Sequence, residues 1–560
     1  MKIRMPMFTR RQFLKAGAVA GASLILPWGC GSNKNYPSAM PQNITKFLDP
    51  LPRPQVLSET DSYVIEMSHF QQQLHSEFPL TNLWGFNGTY PGPTIEARKG
   101  VPISVKWVNN LSKTHLLENA YDTNLHGANM GEPHVRAVVH LHGGHVPPES
   151  DGYPHDWFTR GQSATVLYPN NQNAATLWYH DHTLGITRLN VYAGLAGFYI
   201  IRDEAEDALS LPRGEHEVPL VIQDRSFNDD GSLLYTVRDP AQIPTGTQHP
   251  GQWVPEFFGN VILVNGKAWP YLKVEPGKYR FRILNGSQAR FFNIKLGGLV
   301  FYQIGSEGGL FSKPVQCNSI LLAPAERADV IVDFSGVAGE TLIMTNDAPD
   351  GPFLGGLDPA DSADPNSTGQ ILQIKVMAEG NPDTILIPST LVPLTRIPES
   401  SAVLTRDFVL EEEVDNNDEP IALEINRHDF DDPIEEKPKR GTTEIWRFIN
   451  TTGDTHPMHV HLVQFQVLDR QTFGSEDFLA AWKSYFKNGG SKPNIEDYLT
   501  GAPVTPDPNE MGWKDTVRVN PGEVLRIISV FDDYIGKYPF HCHILEHEDN
   551  AMMSQFEVIQ

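Results

Sequence analysis

Phe86–Asn110 reads FNGTYPGPTIEARKGVPISVKWVNN, and its plan returns twice in the chain. VNGKAWPYLKVEPGKYRFRILNGS begins at Val264, and INRHDFDDPIEEKPKRGTTEIWRFINTT begins at Ile425. Each copy has an Asn near its start, a Pro some residues on, a Gly opening a second run, and large residues at alternate positions that end at Asn. Val101, Ile103, Val105 and Trp107 alternate in this way, as do Tyr279, Phe281 and Ile283. A period of two marks a strand with one face buried. Asn-Gly and Pro-Gly pairs punctuate the first two copies as turn formers. The copies start 178 and 161 residues apart. This spacing predicts three β-sandwich domains of similar design in tandem.

Composition agrees. A chain of 560 residues exceeds what one core fills, and 46 glycines with 44 prolines suit short strands joined by turns. The formal net charge of −24 argues against nucleic acid as a partner, because an acidic surface repels phosphate. Cys30, Cys317 and Cys542 cannot form a disulfide framework, so stability rests on packing. Acidic or proline-rich connectors, RDEAEDALSLPRGEHE after Ile201 and EGNPDTILIPSTLVPLTRIPES after Ala378, mark the joints. The expected domains are 31–205, 206–385 and 386–560, in a monomer.

The N-terminus is an address. Arg10 and Arg11 precede Phe13, Leu14 and Lys15, and then an apolar run from Ala16 to Leu26. That run is too short for a transmembrane helix but suits a signal sequence. Residues 1–30 resemble a twin-arginine export signal, which predicts a periplasmic or extracellular protein with no transmembrane helix. Its removal takes away five basic residues and no acidic ones, leaving the mature chain more negative. LPWGC also reads as a lipoprotein cleavage site, which would leave a lipid anchor at Cys30.

Half of the twenty histidines fall in four clusters: His140 and His142; His180 and His182; His456, His459 and His461; His541, His543 and His547. None lies between His249 and His428, which predicts a site where the first and third domains meet, with the second as spacer. Side chains two apart on a strand share a face, so each His-x-His pair presents two imidazoles together. Four such pairs would surround a shared metal cluster. In PFHCHILEHEDNAMMS, Pro539–Ser554, the same rule turns Cys542 away from His541 and His543. The thiolate would then serve a separate metal one residue from the cluster, an arrangement for electron transfer. Cys542, His547 and Met552, with His456 placed in the turn before Pro457, are a blue-copper ligand set with an axial thioether. Zinc, the competing metal, gains little from a thioether.

These clusters resemble those of the multicopper oxidases, and all twelve ligand positions are filled. LWGFNGTYPGPTIE, HLHGGHVPPESDG, LWYHDH, TRLNVYAGLAG, LAPAER and HCHILEHED resemble the bacterial spore-coat laccase and bilirubin oxidase branch. The resemblance implies an all-β chain of three tandem cupredoxin-like Greek-key domains holding four copper ions. It implies type 1 copper on Cys542, His456 and His547 with Met552 axial, and type 2 copper on His140 and His459. His142, His180, His182, His461, His541 and His543 would hold the type 3 pair. It also implicates Asp151 and Glu548 in proton delivery and leaves Asp181 with an orienting or structural role. Electrons would enter at His547.

The implied activity is that of a laccase, coupling four one-electron oxidations of phenols, aromatic amines or tetrapyrroles to reduction of dioxygen to water. A cuprous or ferrous oxidase is the nearest rival, although no Met-rich segment supports the cuprous case. Fungal bilirubin oxidases carry Trp where this chain has Asp454 in GDTHPMH, which weakens a claim for bilirubin. A copper-free exported scaffold protein would lack ligands, and none is missing. Specificity is expected in two Gly-, Pro- and Asp-rich loops, 346–369 and 487–512, whose acidity favours cationic reductants.

Overall fold

The computed structural model describes residues 44–58, 60–129, 131–237, 252–380, 384–414 and 420–560. The export signal and Cys30 lie outside these residues. Six large sheets form three pairs. In the first pair, a five-stranded sheet runs Val56–Leu57, Gly92–Arg98, Ala196–Arg202, Ala175–Asp181, Val139–His142. It covers a four-stranded sheet in the order Thr81–Phe86, Ser62–Gln72, Ile103–Asn110, Ser163–Tyr168. Ile65, Trp84, Val105 and Trp107 from one sheet meet Ile95, Leu141, Leu177 and Tyr199 from the other in one buried cluster.

The second pair is built from strands between Glu217 and Val376, the third from strands between Ala402 and Val558. In the third, the sheet Thr516–Val519, His456–Val460, Gly536–Cys542, Met553–Val558 faces one centred on Thr442–Asn450. Met458, Phe540 and Phe556 pack there with Phe408, Trp446 and Phe448.

The repeat reappears as equivalent structure. Ile103–Asn110, Lys278–Asn285 and Thr442–Asn450 each lie parallel to the opening long strand of their own segment. Asn87, Asn265 and Asn426 all take a positive φ, the left-handed turn conformation that Asn tolerates. Each binds one residue of that opening strand at two points. Its backbone N–H donates to the carbonyl of Glu66, Val221 or Val409. Its Oδ1 accepts the N–H of the same residue at 3.0, 2.8 and 2.8 Å. The closing Asn residues match too, since Asn109, Asn285 and Asn450 each accept the N–H two residues on. The third copy has Arg427 where the others have Gly, and it holds φ +63° while pairing with Glu411.

Asn265 is buried, and its Nδ2 also donates to Pro52 and Pro219. Asn265→Ala orphans buried backbone groups and is expected to cost about 2 kcal/mol or more in urea unfolding. A midpoint equal to wild type would contradict that role.

The first connector is not a solvated linker. Glu206 and Glu217 enter a buried ionic network with Arg202, Arg280 and Arg282. Burial opposes their ionisation, but the three guanidiniums hold Glu206 at about 2. The joint is therefore welded to the middle sandwich by paired charges.

Candidate metal centre

Strand pairing assembles the site. Val139–His142 lies antiparallel to Ala175–Asp181, with His140 opposite His180. His456–Val460 lies antiparallel to Gly536–Cys542, with His459 opposite His541 and Met458 opposite Cys542. The two pairs of strands then meet face to face. His140 stacks on His461 with ring centroids 3.8 Å apart, and His142 stacks on His459 at 3.6 Å.

Eight imidazoles converge there, all buried. The Nε2 atoms of His182, His461 and His541 form a triangle with sides of 3.2, 3.1 and 3.3 Å. His142 Nδ1 lies 3.4 Å from His180 Nε2, and the His543 ring lies 5.0 and 5.3 Å from theirs. Among the described residues, His140 Nε2, His459 Nε2 and both nitrogens of His543 are buried with no hydrogen-bond partner. A buried polar atom without a partner costs free energy, so inward-facing orphan nitrogens fit metal ligands. Burial, reinforced by the neighbouring imidazoles, holds His140, His142, His182, His459, His461 and His543 well below the ordinary histidine range. They are therefore neutral, the form that binds a cation.

On the other face, Cys542 Sγ lies 3.6 Å from His456 Nδ1 and 3.6 Å from His547 Nδ1, and the two nitrogens are 3.2 Å apart. Burial pushes the Cys542 thiol well above its usual range. A thiolate at that position requires a cation beside it. The His2Cys triangle is the soft donor set that suits copper. Met552 is buried, and its carbonyl accepts the Cys542 N–H at 3.0 Å. His456 was expected in a turn but begins a strand, paired with Val519. Alternation alone turns it to the side of Met458, opposite His459 and His461.

The outer nitrogens are held in place. Asp151 Oδ2 accepts from His461 Nδ1 at 2.8 Å, and the Asp151 carbonyl accepts from His140 Nδ1 at 2.6 Å. The Glu548 carboxylate lies 3.3 Å from His182 Nδ1 and 3.2 Å from His541 Nδ1 without a hydrogen bond to either, and His541 Nδ1 donates to the Cys542 carbonyl. Asp181 accepts from Val138, Thr183 and Asn190, which pins the turn carrying His182.

Several partners escaped sequence reasoning. Asp515 accepts from His142 Nε2 through its side chain at 3.1 Å and from His459 Nδ1 through its carbonyl at 2.8 Å. It is itself paired with Arg327 of the middle sandwich, Nη1 to Oδ1 at 2.8 Å. The middle segment is thus a structural partner of the site rather than a spacer. The signal was Arg327 in LAPAER, a motif with no role of its own in the sequence. Asp549 accepts the N–H groups of Thr187 and Arg188 at 2.9 and 3.1 Å, which fastens the His547 helix to the first segment.

Comparison with known proteins agrees with this geometry. Multicopper oxidase family models match residues 71–133 and 123–206, 190–353, and 404–560. A twin-arginine translocation signal model matches residues 7–27, which supports export. A laccase of Bacillus subtilis is 43% identical over 531 residues, covering 92% of this chain and 99% of the relative. Multicopper oxidase LPR1 of Arabidopsis thaliana is 40% identical, covering 89% of this chain and 88% of its own. The crystal structure of McoA multicopper oxidase from Aquifex aeolicus superposes with a TM-score of 0.70 at 29% identity, covering 92% of this chain and all of that one (100%). With family models matching along nearly the whole chain and a laccase 43% identical to it, the chain belongs to the multicopper oxidase family, as a copper-dependent oxidoreductase of three cupredoxin-like sandwiches.

Proposed function

We propose that the chain is a laccase-type oxidase that withdraws electrons one at a time from a small reductant and delivers four of them to dioxygen. The observation that carries this is the two-faced strand end at His541–Cys542–His543, with a thiolate triangle on one side and the imidazole cluster on the other. When bound, copper supplies one-electron acceptance at the thiolate set and reduction of dioxygen to water at the imidazole set.

In this reading His456, Cys542 and His547 would hold the type 1 ion, with the Met552 thioether as a further donor, and His140 and His459 would hold the type 2 ion. His142, His180 and His543, with His182, His461 and His541, would hold the type 3 pair. The Cys542 peptide joins the two faces through one residue on each side. Its carbonyl also accepts from His541 Nδ1 at 3.0 Å, a second short connection. Glu548 and Asp151 are the carboxylates that hold or pass protons, because they touch the outer nitrogens of the His182–His461–His541 triangle. Glu548→Gln keeps the shape but cannot carry a proton away. It is expected to slow turnover about tenfold or more with unchanged blue absorption. Unchanged oxygen uptake would make Glu548 a spectator.

The reductant site is proposed beside the turn that carries His456. A cavity of about 680 Å³ is lined by Asp350, Leu354, Leu357, Asp358, Asp361 and Gly453. Gly453 follows Thr452, whose Oγ1 is 2.6 Å from His456 Nε2. Loop 346–369 supplies most of this lining, and loop 487–512 supplies none. Electron entry through the His456 turn is thus an alternative to entry at His547. Asp350 is paired with Arg290, but the exposed Asp358 and Asp361 favour a second reading, oxidation of cationic reductants including cuprous or ferrous ions. Oxygen uptake with a phenol, an aromatic amine, bilirubin, and cuprous and ferrous ions separates the two. Asp358→Asn with Asp361→Asn should raise KM for cations several-fold and leave phenols unchanged, because both side chains face solvent. Equal response to every reductant would dismiss a role for the aspartates.

Domain limits of 31–205, 206–385 and 386–560, a monomeric state and no nucleic-acid partner belong to the same proposal. So do periplasmic or extracellular residence and a lipid tether at Cys30. Among the described residues no helix is long and apolar enough to cross a membrane.

A further inference from the structure

Two histidines outside the four clusters converge on a single carboxylate. His126 Nε2 lies 2.8 Å from Asp431 Oδ2, and His155 Nε2 lies 2.6 Å from Asp431 Oδ1. Asp431 stands 305 and 276 residues from them in sequence, so only the tertiary fold makes this trio. We propose that His126, His155 and Asp431 form a second, solvent-facing cation site for a divalent ion of the zinc or copper(II) class, bridging the first and third sandwiches.

Donor chemistry supports the assignment. As hydrogen bonds, both imidazoles give Nε2–H to one carboxylate. With a divalent ion in place of those protons, the trio offers two neutral nitrogens and one anionic carboxylate. Two histidines and one carboxylate are a borderline-soft set that suits zinc or copper(II), with water completing the shell. The side chains are 34%, 41% and 51% exposed for His126, His155 and Asp431, so an ion enters without unfolding anything.

The surroundings attract and position a cation. Residues 428–436, HDFDDPIEE, contain five acidic side chains and no lysine or arginine. His428 is already engaged on that segment, 3.5 Å from Asp432 and 3.9 Å from Glu435. Phe430, next to Asp431, is buried with Leu184 and Met553. Its ring lies 5.5 Å from Tyr153 and 5.7 Å from His155. Its carbonyl accepts from Gln555 Nε2 at 2.6 Å, and Gln555 Oε1 accepts from Tyr153 at 2.6 Å. The carboxylate and one imidazole are thereby mounted on a fixed floor, which lowers the ordering cost of binding.

Zinc titrated calorimetrically into the fully copper-loaded enzyme tests the site, since the copper donors are then already filled. One zinc per chain is expected, and His126→Gln and His155→Gln should each weaken it at least about tenfold through loss of a ligand. Unchanged blue absorption in each variant reports an intact fold, because its donors lie elsewhere. His428→Gln should leave the affinity within about twofold, because it removes no ligand. No zinc uptake by the wild-type holoenzyme would overturn the proposal. So would affinity unchanged in either ligand variant, or a loss in His428→Gln as large as theirs, which would indicate only diffuse attraction to the acidic segment.

Discussion

Cys542→Ser removes the intense blue absorption of the oxidised enzyme and lowers turnover by about three orders of magnitude or more. The colour belongs to a thiolate ligand, and a serine hydroxyl is neither soft enough nor acidic enough to replace it. The substitution changes one atom in a fully buried position, so the fold has little reason to respond. His140 and His459 stand on the other side of the strands, each held by a backbone carbonyl. Their copper signal in electron paramagnetic resonance should therefore persist. Retention of the blue band in the serine variant would sink the proposed type 1 assignment. Loss of every copper signal together would deny that the two faces are separable sites.

Asp515→Ala is expected to cost about 3–5 kcal/mol of stability and to lower copper content, because it leaves a buried guanidinium uncompensated. Arg327 and Asp515 are both fully buried and pair through both guanidinium ends. The same carboxylate accepts from His142 Nε2, with Thr516 Oγ1 3.0 Å from that nitrogen. Arg327→Met should destabilise by a similar amount for the converse reason, a buried carboxylate without its cation. A double replacement, Arg327→Met with Asp515→Leu, separates the two roles. Replacing a buried ion pair by apolar groups of similar size is often neutral, so stability should recover by about 2 kcal/mol or more. Copper content should not recover, since His142 still lacks its acceptor. An Asp515→Ala protein with the wild-type unfolding midpoint and full copper would contradict both halves of this account.

Much of the architecture was legible because it follows from short-range rules. Alternation along a strand separates Cys542 from His541 and His543, and it separates His456 from His459 and His461. No turn before Pro457 is needed to part them, because His456 already lies in the strand. The recurring Asn residues announced a repeated turn, and Asn87, Asn265 and Asn426 make the same two bonds in all three copies. His547 was readable from its spacing after Cys542, since the short helix Leu545–Asp549 brings its Nδ1 to 3.6 Å from the thiol sulfur.

Other features had no local signal. Aspartate before threonine in KDT, or arginine after glutamate in PAER, looks like any surface charge until Asp515 and Arg327 meet inside the protein. Nothing in the acidic connector showed that Glu206 and Glu217 would be buried against arginines of the middle sandwich. Nor did either acidic loop show which of them reaches the His456 turn; Thr455 donates to the Phe353 carbonyl at 2.8 Å and settles it.

The sequence by itself determined the strands, their threefold plan and the clusters of histidines that share a face, because period-two geometry acts over a few residues. Only the tertiary structure decided which groups orient those imidazoles, which loop reaches the His456 turn and where His126 and His155 find Asp431. Those contacts join residues up to several hundred positions apart, and their partners are common charged types whose pairing is set by packing.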